Sequence, residues 1–198
     1  SSRDGALAVR ILSPLHLETH AAAIEALAER AIERNVFYEA PFLIHAAHHL
    51  RDNGRPQIVS IWRGADMVGL FPIVTPRFGG KARGWLSHFM TNGAPLIDLT
   101  GADQILARFL AWLGEGERPL SGALFPSIDA DGAFAVLLRS FAVRRSLPVA
   151  AFGEHRRAVL RPTEAAPGDI APSVKRRREL LRQQRRLAEA GVVATRSA

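Results

Sequence analysis

Hydrophobic residues change their period several times along this chain, and each change marks the edge of an element. Leu7 to Leu12 (LAVRIL) alternate as a strand does. From Leu17 to Arg34 the period lengthens, and Ile24, Leu27, Ala28, Ala31 and Ile32 share one face of a helix. Asn35-Val36-Phe37-Tyr38 interrupts it. Pro41 opens a second helix running to about Leu50, because proline is tolerated in a helix's first turn. Asp52-Asn53-Gly54 closes that helix.

Gln57 to Trp62 and Met67 to Val74 read as strands around a polar turn from Arg63 to Asp66, an antiparallel hairpin. Pro76 to Arg83 is a Gly-rich basic loop, and Trp85 to Met90 a further strand. Thr91 to Pro95 reads as a turn, since Asn-Gly readily takes positive φ, and Leu96 to Leu99 as a short extended piece. Ala102 to Leu113 is a helix, Leu120 to Phe125 a strand, and Gly132 to Arg145 a helix with Phe134, Leu137, Leu138 and Phe141 inward. Val149 to Phe152 and Ala158 to Leu160 resemble two last strands. Thr163 to Ala171 has the composition of a linker.

The stretch Pro172 to Gly191 differs from everything before it. Ser173 can cap a helix of straight-chain residues, and Gly191 sits where such a helix exits through a left-handed residue. Leu180, Leu181, Leu187 and Ala188, with Gln184 between, fall on one side; Arg178, Arg182, Arg185 and Arg186 recur on the other. Val192 to Thr195 follows as a β-prone run. A domain at 7–162, a linker at 163–172 and a helix with the first strand of a second, incomplete domain at 173–198 are therefore expected.

Composition adds two restrictions. The chain has 198 residues, 47% of them hydrophobic, enough for one substantial domain with an ordinary core. It has no cysteine, which excludes disulfides, thiolate zinc sites and cysteine nucleophiles, and fits a cytoplasmic setting. No run of eighteen uncharged apolar residues and no apolar leader stretch at the start are present, so neither a transmembrane segment nor a secretory signal is expected. The net charge of +7 is concentrated: Ser173 to Ala198 holds eight Lys or Arg against two Glu.

The element order, a strand, two helices and then a three-strand meander, resembles the GNAT N-acyltransferase fold: a mixed, mostly antiparallel sheet flanked by helices. Finer detail narrows the likeness. ALAERAIERNVFYEAPFLIHAAHHL resembles the opening of the CelD-like acetyltransferases, relatives of the FemABX aminoacyltransferases. Gly69-Leu70-Phe71-Pro72 is similar to their G-x-x-P strand, and Asn92 to Asp98 to their loop ahead of the third helix. Ser173, Arg177, Arg178, Arg185-Arg186-Leu187 and Gly191 are similar to their basic helix. The first long helix departs in lacking the tryptophan common there.

This resemblance implies the first of two GNAT-like halves of an enzyme that moves an acetyl or other acyl group from coenzyme A to an amine or hydroxyl, plausibly on a cell-envelope or polysaccharide precursor. The partner implied is the second half, which usually supplies the acyl-CoA pocket. A GNAT unit that holds coenzyme A carries an Arg/Gln-x-x-Gly-x-Gly/Ala turn before its third helix, where backbone N–H groups grip the pyrophosphate. TNGAPLIDLTGAD has glycines at other spacings and no basic residue at its start, so acetyl-CoA is expected to be bound mainly by the other half.

Asn92 and Asp98 flank the loop where such a sheet splays open; Asp98 there is a weak candidate for a general base, and Asn92 for a substrate contact. A turn-forming Asn and a surface Asp explain them equally. Arg178, Arg182 and Arg185 can hold an anionic acceptor group, or be a solvated helix face partly paired as Lys175–Glu179 and Arg185–Glu189. His45, His48 and His49, and His16 with His20, have metal-compatible spacing, but no HEXXH or matching carboxylate accompanies them, and no metal is expected. Gly79-Gly80-Lys81-Ala82-Arg83-Gly84 is neither a dinucleotide fingerprint nor a P-loop and precedes a strand. No G-x-S-x-G or triad order is present. Two rivals stand beside acyl transfer. One is a catalytically inactive docking module; the other binds nucleic acid through the basic helix, and is disfavoured because no aromatics interleave with the arginines.

Overall fold

A computed structural model of the chain describes residues 6–50, 54–77, 79–115, 119–156 and 173–191. The chain divides into two compact units, 1–150 and 151–198. The linker expected at 163–172 and the strands expected at Ala158–Leu160 and Val192–Thr195 lie outside the described residues.

The first unit is a mixed α/β fold, a mostly antiparallel sheet with helices on both faces. β1 (Leu7–Leu12) pairs antiparallel with β2 (Gln57–Arg63), and β2 with β3 (Asp66–Val74). Ile61 opposes Gly69 and Trp62 opposes Met67, which leaves Val68 as an extra residue, a β-bulge. Strands β2 and β3 are buried almost throughout because both faces are covered, and they read as near-continuous apolar runs.

One face carries a 3-10 turn at Pro14–His20, α1 (Ala21–Glu29) and α2 (Ala40–His49). Leu17, Ile24, Leu27 and Leu43 pack there against Ile58, Leu70 and Trp85. The other face carries α3 (Ala102–Leu113) and α4 (Ala133–Arg144), whose Phe109, Phe134 and Phe141 meet Val59, Ile61 and Phe71. The Phe71 and Phe109 rings stack with centroids 4.0 Å apart. Gly69 lies under α3, and a Cβ there would come within 2.7 Å of Ile105 Cγ2. The glycine of the G-x-x-P strand is thus what lets the helix approach the sheet.

Beyond β3 the sheet forks. β4 (Lys81–Gly84) pairs with the far end of β3 through Ile73 and Val74, and then runs parallel to β6 (Gly122–Leu124). β5 (Leu96–Ile97) pairs with the near part of β3 through Gly69 and Leu70. These two strands lie on the same side of β3, separated by the excursion 85–95. The far side of β5 is taken by the exit of α1: Ile32 N–H donates to Ile97 O at 2.8 Å and Leu99 N–H to Arg30 O at 3.0 Å, with Ala31 bridging Asp98.

Several expectations change. The first helix stops at Glu29, well before Arg34, because Arg30 to Ile32 are drawn into this extended pairing. Lys81 to Gly84 is a strand where a loop was expected, and Trp85 to Met90 is an irregular segment where a strand was expected. Trp85, Leu86 and Met90 are apolar because they plug the core. Val149 to Phe152 forms no strand.

The second unit's described helix is α5 (Val174–Ala190). Ser173 Oγ accepts from Arg176 N–H, the cap its sequence calls for. Gly191 is extended, with φ 164°, and not left-handed, so the helix ends without the expected αL residue.

Candidate functional site

Asn92 and Asp98 both lie at the fork, and both are committed to holding it. Asp98 is buried. One carboxylate oxygen accepts from Arg30 Nε at 2.6 Å, and the other accepts the Thr100 N–H at 2.7 Å. The same guanidinium donates to Met67 O at 2.9 Å and Ala26 O at 2.7 Å. Arg30 therefore ties the end of α1 to β3 and β5 at once. A carboxylate so engaged is shaped as a structural anion, and neither oxygen is left facing an acceptor.

Asn92 Oδ1 accepts the Ala94 N–H at 2.9 Å, an Asx turn. The residue that organises this loop is Asn35, buried in the connection from α1 to α2. Its Nδ2 donates to Ala94 O at 2.7 Å and to Asn92 O at 3.2 Å, and its Oδ1 accepts the Phe37 N–H at 3.1 Å. Gly93 sits against the Pro126 carbonyl, which leaves no room for a Cβ. Tyr38, also buried, donates its hydroxyl to Trp85 O at 2.5 Å, and burial pushes its pKa well above the ordinary phenol value. Asn35 and Tyr38 thus tie the segment 85–95 to the connection between α1 and α2. Asn35 and Tyr38 were readable only as a helix break; the carbonyls to which they donate lie 47 to 59 positions away.

The turn before α3 is where a GNAT unit would grip coenzyme A. Gly101 caps the helix in the left-handed region, with φ 81°. The Arg63 guanidinium lies over this turn, near Thr100 O. Asp103, in the first turn, is paired with Arg144 at 2.5 Å. A carboxylate at that position opposes a pyrophosphate on the same N–H groups. The residues present do not fit coenzyme A there.

In the second unit, Arg182 pairs with Glu179 at 2.6 Å; the hydrogen bonds it donates, and then its charge, hold the Glu179 pKa below its ordinary value. Arg178 and Arg185 are exposed on the same helix, and among the described residues they make no ion pair. Leu180, Leu181 and Leu187 are exposed on its opposite side. The structure therefore places Arg178, Arg182 and Arg185 on one helix, while Asn92 and Asp98 lie in the first unit with separate hydrogen-bond partners. Among the described residues no cluster of three His, Asp or Glu could hold a metal ion, and no helix is long and apolar enough to cross a membrane.

No protein-family model and no curated protein matches the chain. Three solved chains resemble it. One is a possible acetyltransferase from Clostridium difficile 630, with TM-score 0.43 and 9% identity, covering 78% of this chain and 99% of that one. Another is a ribosomal-protein-alanine N-acetyltransferase from Brucella melitensis biovar Abortus 2308, with TM-score 0.38 and 17% identity, covering 79% and 99%.

Proposed function

We propose that the chain is the first half of a CelD-like, FemABX-related acyltransferase that transfers an acyl group from coenzyme A to an amine or hydroxyl acceptor. The observation that carries this reading is the order of elements in the first unit. A strand is followed by two helices on one face, an antiparallel meander, and a helix packed on the glycine of the G-x-x-P strand. In this reading a second GNAT-like half holds the acyl-CoA, since the turn before α3 does not suit it. Acyl transfer needs donor and acceptor positioned and one proton removed. This half contributes positioning: a rigid sheet and the basic face of α5, where Arg178, Arg182 and Arg185 would meet an acceptor's anionic group.

One observation favours a second reading, a docking module without catalysis of its own. At the fork, the Asn35 amide, Asn92 Oδ1 and both Asp98 carboxylate oxygens are engaged in internal hydrogen bonds.

Calorimetry with acetyl-CoA tests both, on this chain and on one extended through its native reading frame. The first reading expects binding only by the extended chain, with turnover on an amine or hydroxyl acceptor. Binding without turnover on any acceptor supports the docking module. Binding by the short chain overturns the assignment of the donor site to the other half.

A further inference from the structure

A different part of the first unit carries free charge. Lys81 and Arg83 alternate with Ala82 along β4, so their side chains leave the same face of the strand, about 7 Å apart. Ala82 and Gly84 turn inward and are buried. The backbone that carries the two cations is fixed on both sides. Arg83 pairs with Val74 of β3, Lys81 with Gly122 of β6, and Gly80 O accepts both the N–H and the hydroxyl of Ser121.

Beside them lies an open cleft of about 320 Å³, whose apolar walls include Val74, Leu86 and Leu124. Among the described residues no carboxylate lines it. Among the described residues neither Lys81 nor Arg83 makes an ion pair. Glu115, which lines the neighbouring cleft, is already held by Arg108 at 2.7 Å. Two uncompensated cations over an apolar wall select a ligand with both characters. Arginine offers a fork of donors that matches phosphate oxygens, and lysine adds a point charge; together they balance a dianion.

We propose that this cleft binds a phosphomonoester carrying a small apolar group, with the phosphate on Lys81 and Arg83 and the apolar part against Val74, Leu86 and Leu124. The site is independent of acyl transfer: failure of acetyl-CoA to bind leaves it standing, and its own failure leaves that reading standing.

Phenyl phosphate is the probe, titrated at low salt by amide NMR and calorimetry, with benzyl alcohol as the uncharged counterpart. Shifts are expected at Val74, Leu86 and Leu124 with phenyl phosphate and not with benzyl alcohol. Each of K81Q and R83Q should weaken binding by roughly tenfold, the scale of a lost charge-assisted hydrogen bond. R139Q, the same charge change on exposed α4, should leave it within about twofold of the parent. The proposal is overturned if phenyl phosphate does not bind, if its shifts fall within 174–190, or if K81Q/R83Q binds like the parent. Should a variant fail to fold, the shift map of the unmodified chain decides between these outcomes.

Discussion

The side-chain amide of Asn35 donates to the carbonyl oxygen of Ala94 at 2.7 Å, with both residues buried and 59 positions of chain between them. A second bond from the same nitrogen reaches Asn92 O, and the amide oxygen takes the Phe37 N–H. One planar group so satisfies three backbone groups in segments that have no ladder of their own.

Asn35→Ala removes all three bonds and strands buried carbonyls. The expected loss is about 2–3 kcal/mol, the scale of unsatisfied buried polar groups. Urea unfolding should show a lower midpoint at unchanged slope. A midpoint equal to the parent's would mean that water replaces the amide, and the clamp would lose its importance.

Tyr38 is the chain's single tyrosine, so its ionisation can be read without interference. Burial raises its folded-state pKa, while the unfolded value is about 10. The sign follows from linkage: above about pH 10 the unfolded chain sheds a proton that the native chain keeps, so this residue's contribution is present below that pH and lost as pH rises further. Tyrosinate absorbance should stay absent in the folded protein past that point and appear together with unfolding. An ordinary titration curve in a chain that is still folded would show that the hydroxyl is solvated.

Gly69→Ala places a methyl group against Ile105 and Phe71. Overpacking of this kind costs about 1–3 kcal/mol. In a double-mutant cycle with Ile105→Ala, the combined loss should be smaller than the two single losses added, because the second change removes the atom in collision. Simple additivity would show that α3 accommodates the methyl group without strain.

Arg30 and Asp98 should behave as one unit. R30Q and D98N are each expected to cost about 1–2 kcal/mol, less than a fully buried pair, because the Arg30 side chain keeps 40% of its exposure. The double variant should lose little more than either single one. If D98N instead leaves stability intact and abolishes turnover in the extended chain, Asp98 is a reacting group after all.

What the sequence made legible was periodicity. Ala102 to Leu113 appears where its helical stripe puts it, and the β2–β3 hairpin where two apolar runs flank a polar turn. β4 was hidden because its inward residues, Ala82 and Gly84, are small and its outward ones, Lys81 and Arg83, are basic, so alternation resembled a polar loop. Trp85 to Met90 misled in the opposite sense: an apolar run marks burial, and an irregular segment can be buried when Tyr38 accounts for its carbonyl. Asn92 and Asp98 were placed correctly at the opening of the sheet, but a pattern of residue types says nothing of partners. Only the structure shows that Arg30, from a distant position, binds the Asp98 carboxylate, and that Asn35 binds the Asn92 backbone.

The pairing of Arg30 to Ile32 along β5 has a consequence for how the protein fails. Leu96 and Ile97 are fully buried, and their outward backbone edge, now bonded to the segment Arg30 to Ile32, could otherwise accept another strand. Covering that strip with the end of α1 keeps it from recruiting a second molecule, in the way natural sheets guard against edge-to-edge association. A partial opening that lifts α1 while β3 stays paired would uncover a short apolar template. The first aggregates formed on heating or dilution from denaturant are then expected to grow from β5, before the sheet as a whole comes apart.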